Sequence, residues 1–142
     1  MRIALEEAER GAAEGNAAVG SILVEADTVV ARGRNLVTST SDPTAHAETV
    51  ALRNAGVQLG HIDFSKLTLY TTFEPCPMCC GAILASGAHT LVMGARHDLT
   101  QSRWGAYSVE KLLELTDRTT QLTLVTGVLV QACRDARDLE TT

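Results

Sequence analysis

The segment Thr44-Ala45-His46-Ala47-Glu48, with Glu74-Pro75-Cys76-Pro77-Met78-Cys79 further along the chain, supplies three metal ligands and a carboxylate not needed as a fourth. Structural zinc sites close their tetrahedron with four protein ligands, whereas hydrolytic sites use three and give the last position to water. His46, Cys76 and Cys79 therefore read as ligands of a catalytic Zn²⁺. Two thiolates and a neutral imidazole cancel the charge of the ion, which stays electrophilic enough to bring the pKa of its water toward about 7. Glu48, two residues past the His and free of the metal, can take that water's proton, pass it to a ring nitrogen and later protonate a departing amine. The chemistry implied is replacement of an exocyclic amino group by oxygen, with release of ammonia.

Such a site needs elements that bring the two segments together. Cys76 and Cys79 are three apart at the start of the apolar run Cys79-Cys80-Gly81-Ala82-Ile83-Leu84-Ala85, so a helix over 76–86 puts both sulfurs on one face. The N–H groups and positive dipole end of that helix favour thiolate over thiol. Cys80 points about 100° away around the helix and reads as a buried core thiol. His46 opens a second helix over 45–55, after the turn and cap sequence Ser41-Asp42-Pro43-Thr44. Two helix N-termini thus converge on one metal.

The remaining pattern alternates helices and strands. A first helix spans 2–14 and ends at Gly15-Asn16. Strands 19–25 and 28–34 flank a tight connection at Ala26-Asp27 and form an antiparallel hairpin. Strands 67–72, 90–94 and 121–125 are separated by helices 76–86 and 109–115, which implies parallel crossovers, and a last helix covers about 128–137. The expected fold is a three-layer α/β/α sandwich, residues 1–142 forming one domain around a mixed five-stranded sheet.

Lys and Arg number 12 and Asp and Glu 17, a net charge of −5 in 142 residues. That balance gives no whole-chain attraction for nucleic acid. Four cysteines, three of them at 76, 79 and 80, do not space like a disulfide framework, so reduced thiols and a cytoplasmic location are expected. The opening residues turn acidic too soon for a signal peptide, and no apolar run is long enough to span a bilayer.

HAE paired with PCPMC resembles the cytidine deaminase-like zinc hydrolases, whose signature is H-x-E followed by P-C-x-x-C. The interval of 30 residues between His46 and Cys76 is similar too, and the resemblance runs from about residue 2 to 133. Residues 41–48 and 69–79 look most like guanine deaminases and tRNA adenosine deaminases. Leu69-Tyr70-Thr71-Thr72 and Arg32-Gly33-Arg34-Asn35 are also similar to fungal-type cytosine deaminases. The resemblance implies that Asn35 contacts the substrate and that the chain forms a homodimer or higher oligomer. Taken alone, Asn35 is equally a turn residue at a strand end. Guanine deaminases usually carry a Gly-Pro-Phe-Gly type segment and the tRNA enzymes a Val-Pro-Val-Gly one, where this chain has Asn16-Ala17-Ala18-Val19-Gly20. Residues 95–107 match none of these branches, and the ending 134–142 is acidic.

Within 95–107, His97, Asp98 and Trp104 follow a strand end, where α/β proteins place ligand sites, and Trp104 could stack on a planar base. The alternative is a plain loop whose aromatic packs on the domain or a subunit partner. His61 and His89 sit at element boundaries as solvated or capping residues. The expected activity is zinc-dependent hydrolytic deamination of a small aminated heterocycle, a free nucleobase or nucleoside of guanine or cytosine type. A tRNA adenosine deaminase ranks lower on charge and tail, and a catalytically silent zinc-containing binding module of the same fold is a further alternative. A structural zinc protein, closed for instance by Cys133, would have no use for Glu48.

Overall fold

Strands Gly20–Glu25 (β1), Thr28–Arg34 (β2), Thr68–Phe73 (β3), Thr90–Ala95 (β4) and Thr123–Val125 (β5) hydrogen-bond into one sheet of order β2-β1-β3-β4-β5. The computed structural model describes residues 1–100 and 102–138; Gln101 of the long loop and the last four residues of the acidic tail lie outside it. β1 is antiparallel to both β2 and β3, whereas β3, β4 and β5 run parallel, so the sheet is mixed as expected. The β1–β2 hairpin turns on Ala26 and Asp27, both at positive φ (44° and 66°), the left-handed pair that matches the strands' own twist.

Helices Arg2–Ala13 (α1), Val37–Thr40 (α2), Ala47–Leu59 (α3), Pro77–Ser86 (α4), Val109–Leu115 (α5) and Val130–Asp138 (α6) complete the described chain. Two glycines show how closely the layers approach. A Cβ at Gly20 would overlap the Ala4 carbonyl of α1 and lie 2.5 Å from the Ala8 nitrogen, and one at Gly33 would overlap Ala47 O and Ala51 N of α3. Gly33 pairs with Ser21, the neighbour of Gly20, and successive strand residues face opposite ways. Helices α1 and α3 therefore cover opposite faces, which makes three layers. Ile22 and Leu23 of β1 are both buried, as are Leu91, Val92 and Met93 of β4, so neither face is left to solvent. The main core joins Leu23, Leu69, Leu91 and Met93 to Phe64, Ile83, Leu84, Val109 and Leu113, and Cys80 belongs to it, as its position around the helix implied.

Most boundaries agree with the sequence reading to within one residue, and the larger differences fall at three places. Helix α3 runs on through Gly56 to Leu59 and stops where Gly60 takes φ 71° and donates back to the Gly56 carbonyl. The short α2 has no helix-forming composition; it exists because Asn35 Oδ1 accepts from the Val37 N–H (3.1 Å) and the Thr40 hydroxyl donates to the Leu36 carbonyl (2.7 Å). β5 shortens to Thr123–Val125 and α6 starts only at Val130, after positive φ angles at Gly127 and Leu129. Among the described residues no helix is long and apolar enough to cross a membrane.

Candidate active site

His46 and Cys76 are the N-cap residues of α3 and α4, both in extended conformation, and Pro77 fixes the first turn of α4. The Thr49 hydroxyl lies 2.9 Å from the His46 carbonyl and 2.5 Å from that of Thr44, holding the turn that presents the imidazole. Ligand atoms of His46, Cys76 and Cys79 lie within 4.8 Å of one another. Cys76 Sγ is 3.6 Å from His46 Nδ1. A tetrahedral ion about 2.3 Å from sulfur and about 2.1 Å from nitrogen sets those atoms about 3.6 Å apart, so the donor set and its spacing fit zinc. Hydrogen bonds from the Cys79 thiol and, behind it, the His46 ring favour the Cys76 thiolate against the cost of its burial and lower its pKa to about 4. Cys79 is pushed up, first by the hydrogen bond its thiol donates to Cys76 and then by burial. Cys133 is not part of the cluster: its Sγ lies against Gly94 of β4.

Glu48 is in the first turn of α3 and buried, 3% exposed. Thr71 Oγ1 lies 3.1 Å from Glu48 Oε1 and 3.0 Å from the Phe73 carbonyl, so the single hydroxyl proton serves both. Burial raises the Glu48 pKa above the usual carboxylate value and the negative Cys76 adds to that, while a hydrogen bond from the backbone N–H of Glu48, the Thr71 hydroxyl and His46 pull it the other way without cancelling the rise. A carboxylate held this way accepts a proton readily and gives it back readily.

These side chains open on a cavity of about 530 Å³. Asn35, His97, Asp98 and Trp104 all line it, together with His46, Glu48 and Cys76. Asn35 is buried, and the Val37 N–H occupies its carbonyl oxygen, which leaves the amide nitrogen to address a ligand. The His97 ring stands edge-on to Phe73 (centroids 4.9 Å apart), its Nε2 buried without a hydrogen-bond partner among the described residues. Burial lowers its pKa, so it is neutral near pH 7. Asp98 Oδ1 accepts from the Thr100 N–H (2.9 Å) and hydroxyl (2.6 Å). Of the segment 16–20, Ala17 and Val19 reach the cavity. Asn16 instead fastens α2, its amide exchanging hydrogen bonds with the Ser39 hydroxyl (3.0 Å) and N–H (2.9 Å). His61 and His89 do not line the cavity.

Sequence reasoning passed over Glu74. It is buried and accepts from Arg96 Nε (3.1 Å) and Nη2 (2.8 Å), from the His97 N–H (3.1 Å) and from the Val109 N–H (3.1 Å). Arg96 also binds Glu110, with bonds of 2.7 and 2.5 Å, and the Tyr107 hydroxyl donates to the Pro75 carbonyl (2.8 Å). One carboxylate thus ties the start of the metal-binding turn to both ends of the loop that walls the cavity. The only signal was its place just before Pro75-Cys76, and its partners lie more than twenty residues away. Glu74→Gln removes the charge that Arg96 and two backbone donors face, an expected loss of about 1–3 kcal/mol in denaturant unfolding. Burial would raise the Glu74 pKa, but hydrogen bonds from Arg96, Val109 and His97 outweigh it and the net shift is downward from 4.5. The stability this brings is fully present above that ordinary value and is lost as pH falls through the lower folded one. Urea midpoints measured from pH 6 downward should converge for wild type and Glu74→Gln in acid.

The mixed sheet, the paired helix N-termini and a zinc triad with a buried carboxylate beside it define a zinc-dependent deaminase. Residues 1–95 match the model of the cytidine and deoxycytidylate deaminase zinc-binding region, and the chain belongs to that family. It is 41% identical to the tRNA-specific adenosine deaminase of Haemophilus influenzae, over 94% of this chain and 76% of that one. Chloroplastic tRNA(adenine(34)) deaminase of Arabidopsis thaliana is 46% identical over 70% of this chain, which spans only 8% of that protein's length. The guanine deaminase of Bacillus subtilis is 42% identical over 55% of this chain and 50% of its own. A solved structure from work on A-to-I editing by tRNA:A34 deaminases superposes with a TM-score of 0.86 at 28% identity, covering 96% of each chain.

Proposed function

We propose that the protein deaminates an adenosine in tRNA by zinc-dependent hydrolysis, with His46, Cys76 and Cys79 as ligands and Glu48 as proton carrier. The observation that carries this reading is the similarity to tRNA-specific adenosine deaminases along nearly the whole chain. It reverses the ranking that the net charge suggested, in which a free guanine or cytosine came first and nucleic acid was unlikely. Net charge is a sum over the surface, and it does not describe the rim of one cavity.

Zinc, when bound, supplies the Lewis acidity that makes a water nucleophilic near neutral pH. The protein's part is to place and move protons. Glu48 takes one proton of the attacking water and delivers it to the adjacent ring nitrogen, then takes the remaining hydroxyl proton and gives it to the amine as the C–N bond breaks and the carbonyl forms, so that ammonia leaves. Thr71 holds the carboxylate in line, the Asn35 amide nitrogen orients the ring, and His97 and Trp104 wall the cavity. Buried reduced thiols at all four cysteines fit a cytoplasmic setting. A homodimer belongs to the same reading; sedimentation should give twice the 15.1 kDa chain mass.

The test is ammonia release from a hairpin RNA carrying adenosine in its loop, set beside adenosine, guanine, cytosine and an aminated triazine. Turnover of the hairpin is the expected result. Turnover of guanine with the hairpin untouched would support the second reading, a free-purine deaminase, which the shorter match to guanine deaminase favours.

A further inference from the structure

The zinc cavity has a buried floor and a charged rim. Glu48 and Cys76 are buried at the floor, whereas Arg103, from the loop after β4, is exposed, and Arg137 reaches the same cavity from α6. Each guanidinium lies over an aromatic ring that lines the cavity: Arg103 Cζ is 4.7 Å from the Trp104 centroid and Arg137 Cζ 5.4 Å from that of Phe73. Both charges act on the His97 ring, and that of Arg103 also on His46, which sets them beside the zinc residues.

Two acids that share the cavity with Arg103 have other partners. Glu74 is neutralised by Arg96, and Asp98 Oδ1 is capped by Thr100. Arg10, Arg32, Arg34, Arg53 and Arg96 each face a carboxylate at ion-pair distance, and among the described residues Arg103 does not. A neutral heterocycle at the floor would gain nothing from two cations at the rim. A guanidinium fork matches phosphate oxygens, and an aromatic face next to it suits a stacked base. The cavity of about 530 Å³ has room beyond one ring for the rest of a nucleotide.

We propose that Arg103 and Arg137 bind a backbone phosphate of a single-stranded RNA, next to the nucleotide whose base enters the zinc site. This rests on the RNA reading above and adds where this chain grips its substrate.

The test is binding of the same hairpin to the zinc-loaded protein, by fluorescence anisotropy across a salt series. Neutralising one single-strand phosphate contributes about 0.7 to the slope of log K against log[salt]. Arg103→Ala and Arg137→Ala should each weaken binding and flatten the slope by about that amount, while Arg103→Lys and Arg137→Lys keep it. Zinc content and far-UV circular dichroism qualify each variant, and the Lys variants and Arg103→Ala decide the matter if Arg137→Ala misfolds. Adenosine and AMP serve as competitors. AMP displacing the hairpin better than adenosine, but binding less tightly than the hairpin, supports a phosphate gripped within a strand; AMP doing no better than adenosine overturns the phosphate grip, and AMP binding as tightly as the hairpin overturns it in favour of a free nucleotide. An unchanged slope in the double Ala variant, with ammonia still released from the hairpin, overturns the clamp and leaves the proposed function standing. A flattened slope with ammonia released only from guanine does the reverse. Absence of hairpin binding by the wild type overturns the clamp outright.

Discussion

Replacing Glu48 with Gln is expected to leave zinc bound and cut ammonia release by about a thousandfold, within the range that positioned proton transfer contributes. Gln keeps the volume of a side chain only 3% exposed and keeps an oxygen for the Thr71 hydroxyl at 3.1 Å, so the floor of the site stays filled. What it removes is the ability to carry a proton from water to ring and from ring to amine. Metal analysis and turnover on the same preparation separate the two roles. Ammonia release near the wild-type rate, with zinc content unchanged, would take Glu48 out of the mechanism.

A single methyl group on Gly33 should do nearly as much damage from the other side of α3. The added Cβ would overlap the Ala47 carbonyl and the Ala51 nitrogen and lie 2.9 Å from Ala51 Cα, all backbone atoms with no rotamer to yield. The helix must move off β2 or the strand must twist, at a cost of about 3 kcal/mol, the upper end for overpacked cores. In a chain of this size that lowers Tm by about 6–12 °C. Because α3 carries His46 at its cap and Glu48 in its first turn, zinc affinity should fall with stability. A Gly33→Ala protein with wild-type Tm and zinc affinity would show that this contact relaxes freely.

The chemistry was readable because it depends on spacing within single elements. His46 and Glu48 fall at the cap and first turn of one helix and Cys76 and Cys79 at the start of another, and those offsets survive any tertiary rearrangement. The hairpin at Ala26-Asp27 and helix Val109–Leu115 were legible for the same reason. Features made by distant partners were not. Helix α2 is fastened by the Asn16 side chain from 23 residues away, and Glu74 gains its role from Arg96 and from backbone groups of the 97–109 loop. Arg137 reached the cavity only because α6 packs beside β4, and the charge count had weighed it equally with every other arginine.

The anchoring of that loop by Glu74 has an evolutionary consequence. Arg96, the His97 N–H and Val109 are fixed to a residue of the metal-binding turn, while Asp98, Arg103 and Trp104 lie between these anchors and line the cavity. On the proposed function, the loop's share of selectivity is thus carried apart from the reaction, the two joined at one carboxylate. A lineage can rewrite the span between the anchors, and so exchange one ring for another, without disturbing the machinery that breaks the C–N bond.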